Sequence, residues 1–201
     1  MLAAIAVGAL AVTGAPSALA EPVATCTSDV IDGVEASLVD ASIPMVFVRA
    51  RDLGITGTET PQAIDGDKTL SARLEKIRVA ASHLMGIPGS AATPKIAVVT
   101  APMDYTALDG SRVGSEQADV VGRAISMANC HRAFPLTSSM CLAVAARIES
   151  TLVHECSTAN PGADVRLGHP SGVLPLDAAV TKQNGDYLAE RVTVYLSLIH
   201  I

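Results

Sequence analysis

The densest group of reactive side chains runs Asn129-Cys130-His131-Arg132-Ala133-Phe134-Pro135-Leu136-Thr137-Ser138-Ser139-Met140-Cys141. A thiol, an imidazole and a guanidinium close one apolar stretch. Pro135 opens the next, whose first turn carries three hydroxyls. Read as strand, turn and helix start, the segment sets Arg132 beside a helix N-terminus. Such a terminus offers unpaired backbone N–H groups and the positive end of a dipole. With His131, Arg132, Thr137, Ser138 and Ser139 around it, the place suits a carboxylate. The plain alternative is that the hydroxyls are ordinary first-turn residues and Arg132 faces solvent.

Cys130 and Cys141 are candidate acid–base thiols, because a thiolate near a helix start has a lowered pKa. Cys141, between Met140 and Leu142 one turn into the helix, also reads as a buried inert thiol. Cys130 at a strand end is more open but has no evident base. A second turn, His169-Pro170-Ser171-Gly172, either presents Ser171 and the Gly172 amide to a ligand or is a plain turn with a surface histidine. His83 and His154 fall on helix surfaces and carry no chemistry. No carboxylate pair has glycosidase spacing, and no Ser–His–Asp set can be argued. The spacing of Cys26, Cys130, Cys141 and Cys156 matches no zinc pattern, so no metal is expected.

These residues need elements to hold them. Val34, Ala36 and Leu38 alternate as in a strand, and Met45-Val46-Phe47-Val48 is a short run of β-formers. Thr69 to Met85 is the best helix: Leu70, Leu74, Ile77, Ala81 and Leu84 recur at three and four residues. Asp67 or Thr69 caps its start, and Gly86 with Pro88 stops it. Lys95 to Thr100 reads as a buried strand, Asp104 to Gln117 as a polar loop, and Asp119 to Asn129 as one long strand. A second helix follows from Leu136 to Ile148. Val165 to Leu167, Val173 to Val180 and Tyr187 to Tyr195 complete the strands, while residues 21–32 show no period. The order predicts an α+β fold, a strongly curved, mostly antiparallel sheet wrapped around a central helix. No glycine-rich phosphate loop occurs.

Composition sets the outer bounds. The chain has 201 residues, enough for one domain or one large piece of a two-domain protein. Hydrophobic residues make up 49% and aromatic residues 2%, so Ala, Val, Leu and Ile must fill the core. The net charge is −6 and the 14 basic residues form no run, which argues against nucleic acid as a partner. Residues 1–20 are uncharged and end Ala18-Leu19-Ala20. They resemble either a cleaved leader or a miscalled start. Gly14 and Pro16 interrupt them, so no membrane anchor is expected. Four buried free thiols in a cytoplasmic chain are the simplest reading of the cysteines. Export would instead permit two disulfides and a small-ligand binding module.

Several segments, in order and spacing, resemble the second half of the PrpF-type 2-methylaconitate cis–trans isomerases. They are Asp32 to Ala41, Val46 to Ala50 with Asp52-Leu53-Gly54, Leu74 to Arg78, His131-Arg132-Ala133 with Thr137, and Gly168 to Gly172. The resemblance covers residues 31–195, with 1–30 an uncertain N-terminal segment and 196–201 an atypical tail. It implies one half of a diaminopimelate epimerase-like fold, whose two similar halves enclose the active site. It implies an isomerase that moves a proton within 2-methylaconitate, aconitate or a related unsaturated tricarboxylate, without metal or organic cofactor. Substrate contacts then fall on His131, Arg132, Thr137, Ser138 and Ser139, with Ser171 in the neighbouring turn. The family's catalytic Lys and Cys belong to the first half and have no counterpart here. The catalytic residues therefore stay unassigned, the chain is expected to be inactive alone, and its partner is a missing N-terminal half or a second copy. Thr137 is usually followed by Gly in that family. Ser138 stands there instead, where it either narrows the anion pocket or adds a donor. Thr13-Gly14-Ala15-Pro16 resembles an inner family segment, which points to a miscalled start.

Overall fold

The computed structural model describes residues 2–6, 23–183 and 185–197. The chain begins with strands β1 (Leu2–Ala6), β2 (Val23–Ile31), β3 (Val34–Asp40) and β4 (Pro44–Arg49), then helices α1 (Pro61–Gly66) and α2 (Lys68–Leu84). Strands β5 (Lys95–Thr100), β6 (Tyr105–Thr106), β7 (Arg112–Val113), β8 (Val120–Ser126) and β9 (Asn129–Cys130) precede helices α3 (Leu136–Ala145) and α4 (Leu152–Cys156). Strands β10 (Val165–His169), β11 (Gly172–Gln183) and β12 (Asp186–Ser197) follow.

The main sheet runs β1-β12-β11-β10-β8-β5-β4-β3-β2. It closes where Tyr187 and Leu188 of β12 pair with Ala24 and Val23 of β2. Pairing is parallel at β4–β5 and β8–β10 and antiparallel at the other described junctions. The expected curved sheet is thus a mixed barrel with few helices. Strands β6 and β7 form a separate small ribbon.

Strand alternation divides most of the apolar residues between two large cores, with a third, small cluster at Tyr105, Val113 and Val121. Met45 and Phe47 of β4, with Ala97 and Val99 of β5, join a cluster that includes Leu142, Val144 and Ala145 of α3. Val46, Val48, Ile96 and Val98 point the other way, onto Leu70, Leu74, Ile77 and Ala81 of α2. A strand covered on both faces reads as a continuous apolar run, and so these do. The cluster at α3 draws residues from β2, β3, β4, β5, β8, β10, β11 and β12. Helix α2 begins where Asp67 Oδ1 accepts the Leu70 N–H at 2.9 Å, a cap of about 1 kcal/mol. It ends at Met85 and Gly86, whose φ is 71°.

Several boundaries differ from expectation. Residues 119–129 are not one strand but the hairpin β8–β9, turned at Met127 and Ala128 with φ of 51° and 62°. The helix after Pro135 stops at Ala145 rather than Ile148, and α4 starts soon after. Residues 23–31, without visible period, form β2, joined to β3 through Asp32 and Gly33 with φ of 53° and 74°. Residues 7–22 and 198–201 lie outside the described residues, and with them Ala18-Leu19-Ala20 and Thr13 to Pro16. Leu2–Ala6 pairs with β12 in the register Leu2↔Ser197. No helix among the described residues is long and apolar enough to cross a membrane.

Candidate functional site

The β8–β9 hairpin delivers the chain to α3. Its return strand is anchored by the Cys130 N–H, which donates to Asp65 Oδ1 at 2.7 Å. The His131 N–H donates to the Ala124 carbonyl at 2.8 Å, and His131 Nε2 lies 2.7 Å from Ser126 Oγ. Phe134 then turns inward against Gly122 of β8. A Cβ there would come within 3.0 Å of the ring, so any side chain at Gly122 would press on Phe134. Pro135 is the N-cap of α3.

Helices α1, α2 and α4 are each capped by a side chain, from Thr60, Asp67 and Thr151. Helix α3 has no side-chain cap. The Ser139 N–H, bonded to the Pro135 carbonyl at 2.8 Å, starts its ladder. The amides of Leu136, Thr137 and Ser138 precede that ladder and carry the positive end of the dipole.

The three hydroxyls diverge. Thr137 is exposed, and its carbonyl accepts from Ser42 Oγ at 2.9 Å. Ser139 is buried and donates to the Leu136 carbonyl at 2.7 Å. Ser138 is fully buried, and its hydroxyl has no partner among the described residues. Arg132 is exposed. Its carbonyl accepts from Ser171 Oγ at 2.6 Å, which brings the β10–β11 turn onto the loop before α3. Within that turn the Ser171 N–H donates to His169 Nδ1 at 3.2 Å. All six residues singled out from the sequence therefore sit on this loop, the first turn of α3 or the adjoining turn. The hydroxyls of Ser139 and Ser171 are already engaged with backbone carbonyls.

Two supporting residues gave no functional signal in the sequence. Tyr105 Oη donates to the carbonyls of His169 and Gly172, at 3.0 and 2.6 Å, and so pins the turn that carries Ser171. Arg123, 1% exposed, donates to the Glu59 carbonyl at 2.8 Å and lies 5.2 Å above the Tyr105 ring. It makes none of the ion pairs found among the described residues. Burial pulls its pKa below the ordinary arginine value. A cation in the apolar alternation of Val121, Gly122, Ala124 and Ile125 was the available sign of it. Burial, helped by Arg123, lowers the His169 pKa to about 4. His131 is also lowered, by burial and then by Lys95. Both imidazoles are therefore held toward the neutral form.

The thiols are unsuited to ionise. Burial pushes Cys130 up to about 12, and Cys141, fully enclosed, is raised as well. All four cysteines are free. Among the described residues no cluster of His, Cys, Asp and Glu is arranged to hold a metal ion. A surface concavity of about 590 Å³ lies between the end of α2 and residues 88–91, and it shares no residue with the cluster at α3.

The model of the PrpF protein family matches residues 8–198. The chain belongs to the PrpF family. It is 36% identical to the 2-methyl-aconitate isomerase of Shewanella oneidensis over 159 residues, covering 76% of this chain and 40% of that protein. It is 37% identical to the 3-methylitaconate isomerase of Eubacterium barkeri over 157 residues, covering 73% and 41%. A crystal structure of methylitaconate-delta-isomerase superposes with a TM-score of 0.74 at 29% identity, covering 85% of this chain and 49% of that one. This PrpF-family chain spans less than half the length of each of these relatives.

Proposed function

We propose that this chain is the carboxylate-binding half of an isomerase that shifts a double bond within 2-methylaconitate, aconitate or a similar unsaturated tricarboxylate, without metal or organic cofactor. The observation that carries the reading is the uncapped start of α3, with Arg132 on one side and the Ser171 turn bonded to the same loop. In this reading the barrel is one half of an epimerase-like fold, α3 is its central helix, and the start of α3 faces the other half.

The chemistry removes a proton from a carbon one bond away from a carboxylate or its conjugated double bond, and returns it at the far end of the shifted double bond. Negative charge moves into the carboxylate as the proton leaves. Donors already aimed at that carboxylate stabilise the charge more than they stabilise the ground state. The amides of Leu136, Thr137 and Ser138 supply fixed donors, Arg132 supplies charge, and Thr137 adds a hydroxyl. His131, held neutral, is oriented by its contact with Ser126 and contributes no charge of its own. The groups that remove and return the proton belong, in this reading, to another half or another copy. Cys130 and Cys141 are too strongly buried to serve.

The test has two arms. The purified chain, followed by the ultraviolet absorbance of the conjugated double bond, should leave aconitate unchanged. Trans-aconitate at a hundredfold its Kd should stabilise the chain by about 2.7 kcal/mol, a rise in Tm of roughly 5–10 °C. Arg132→Ala, at an exposed position, should abolish that rise while leaving the unliganded Tm within about 1 °C. Turnover by the chain alone would place the proton-transfer groups within it. A flat Tm at saturating trans-aconitate would remove the carboxylate site.

A further inference from the structure

A lysine on a neighbouring strand shares the end of the barrel where α3 starts. Ser42, in the β3–β4 turn, donates to the Thr137 carbonyl at 2.9 Å, so the start of α3 lies beside the start of β4. Strand β5 runs parallel to β4 in the register Met45↔Lys95, and so Lys95 opens β5 at that same end. Partners in such a register project to the same face of the sheet. Met45, like Ala97 and Val99 further along β5, packs in the core that holds α3. Lys95 therefore belongs to the face that α3 covers. On its other side the antiparallel register Ile96↔Ile125 brings Lys95 level with Ser126, whose hydroxyl meets His131 Nε2 at 2.7 Å. Lys95 is half-buried and makes none of the ion pairs found among the described residues. Its charge helps to hold the His131 pKa down. A half-buried cation beside a neutral imidazole has given up hydration without gaining an opposite charge.

We infer that Lys95 is a second cationic contact of the site, paired with a different carboxylate of the ligand from the one at the start of α3. The inference rests on the carboxylate-site reading above and narrows its ligand to polycarboxylates. A molecule with a single carboxylate, seated at the start of α3, leaves Lys95 unpaired. A second carboxylate supplies the missing charge and makes a charge-assisted hydrogen bond with the ammonium. Two anion positions on separate elements, β5 and α3, also fix the direction of the carbon chain between them. The lysine stem is flexible, so the ammonium can follow the second carboxylate without demanding the planar two-point geometry of a guanidinium.

Lys95→Met keeps an apolar stem and removes the charge, and it should leave the unliganded Tm equal or higher. Placement is tested first, without ligand, by following the histidine resonances by NMR against pH. The His131 pKa should rise in Lys95→Met. An unchanged value would show that the ammonium lies away from His131 and would overturn the inference. Isothermal titration on the intact chain then tests the role. Lys95→Met and Lys95→Gln should bind trans-aconitate on the order of 10-fold more weakly than the parent, and Lys95→Arg, which keeps the charge, within about 3-fold. The affinity of the parent should also fall more steeply with salt than that of Lys95→Met. Binding by Lys95→Met within about 2-fold of the parent would overturn the inference. Equal loss in Lys95→Arg and Lys95→Met would also overturn it, since packing rather than charge would then be responsible. Arg132→Ala separates the two levels. Loss of binding there with normal binding in Lys95→Met leaves the carboxylate site standing and removes only the role of Lys95. No saturable binding by the parent chain removes both.

Discussion

Replacing Tyr105 with Phe deletes one oxygen and keeps the ring. The ring holds its place 5.2 Å below Arg123, so the change isolates the hydroxyl. That hydroxyl is shared between the carbonyls of His169 and Gly172, at 3.0 and 2.6 Å. His169 is only 9% exposed, so water replaces the lost donor poorly. Leaving buried acceptors short of a donor costs about 1–3 kcal/mol. For a chain of this size that is a fall in Tm of roughly 3–10 °C. The turn that loosens also carries Ser171, whose hydroxyl holds the Arg132 carbonyl at 2.6 Å. The affinity for trans-aconitate should therefore fall several-fold, although Tyr105 lies behind the turn and not at the site. Thermal unfolding and titration on the same preparations read both effects. A Tm within about 1 °C of the parent would show that the β10–β11 pairing and the Leu108 N–H to Pro170 carbonyl bond, at 2.8 Å, hold the turn unaided. The account of Tyr105 would then be wrong.

Arg123→Ala should destabilise the chain by about 3–5 kcal/mol in urea, because it empties a fully enclosed site and strips the Glu59 carbonyl of its donor; a loss under about 1 kcal/mol would mean that burying the cation is itself nearly as unfavourable as its contacts are favourable. His169 sets a dependence on pH. Its folded value near 4 lies below the ordinary 6.5, so only the unfolded chain takes up the proton in that interval. Stability should fall as pH drops from 6.5 toward 4, by at most about 3 kcal/mol, and this contribution should be flat above that window. Urea unfolding across the window, with His169→Asn as the reference, checks it, and equal slopes in the two proteins would refute the assignment.

How much was legible depended on how each element is stabilised. Helix α2 was legible because a surface helix against one sheet face must repeat at three and four residues, and Asp67 announced its start. Strand β5 was read at its true bounds, since both faces are covered and its apolar run is unbroken. Strand β2 hid because its exposed residues show no alternation, although Asp32-Gly33 is a dipeptide that favours positive φ at both turn positions. The β8–β9 turn gave no such sign. Met127 and Ala128 adopt the same left-handed conformation at a cost that the flanking pairing must offset, and neither residue advertises it. The candidate residues were legible as a segment, from Arg132 and the hydroxyls after Pro135, and their part in binding is the proposal above. Their depth was not. Nothing in Thr137-Ser138-Ser139 says which hydroxyl is exposed, which is satisfied and which is orphaned, because that depends on the direction α3 presents to strands far away in sequence. Tyr105 and Arg123 were hidden for the same reason, since their partners lie more than sixty residues away.

The anion is proposed at the start of α3, rather than at another helix end, on the ground of how the four helices are capped. Helices α1, α2 and α4 satisfy their leading amides with Thr60, Asp67 and Thr151. An anion at those ends would have to displace an oxygen already in place. At α3 the N-cap is a proline, whose side chain can accept nothing, so among the described residues no side-chain oxygen would have to be displaced by a carboxylate. The body of α3 is packed through Cys141, Leu142, Ala143, Val144 and Ala145, all fully buried, so on the proposed reading its leading amides would need little reorganisation to meet a carboxylate. Preorganisation of this kind lowers the entropic cost of binding and makes the donors effective toward charge. It also limits the chain alone. Thr137 and Arg132 are exposed to water and salt, which would screen the proposed attraction until a second surface covered them. On the proposed reading, weak binding by the isolated chain and strong stabilisation of charge in a closed cleft are two consequences of one arrangement.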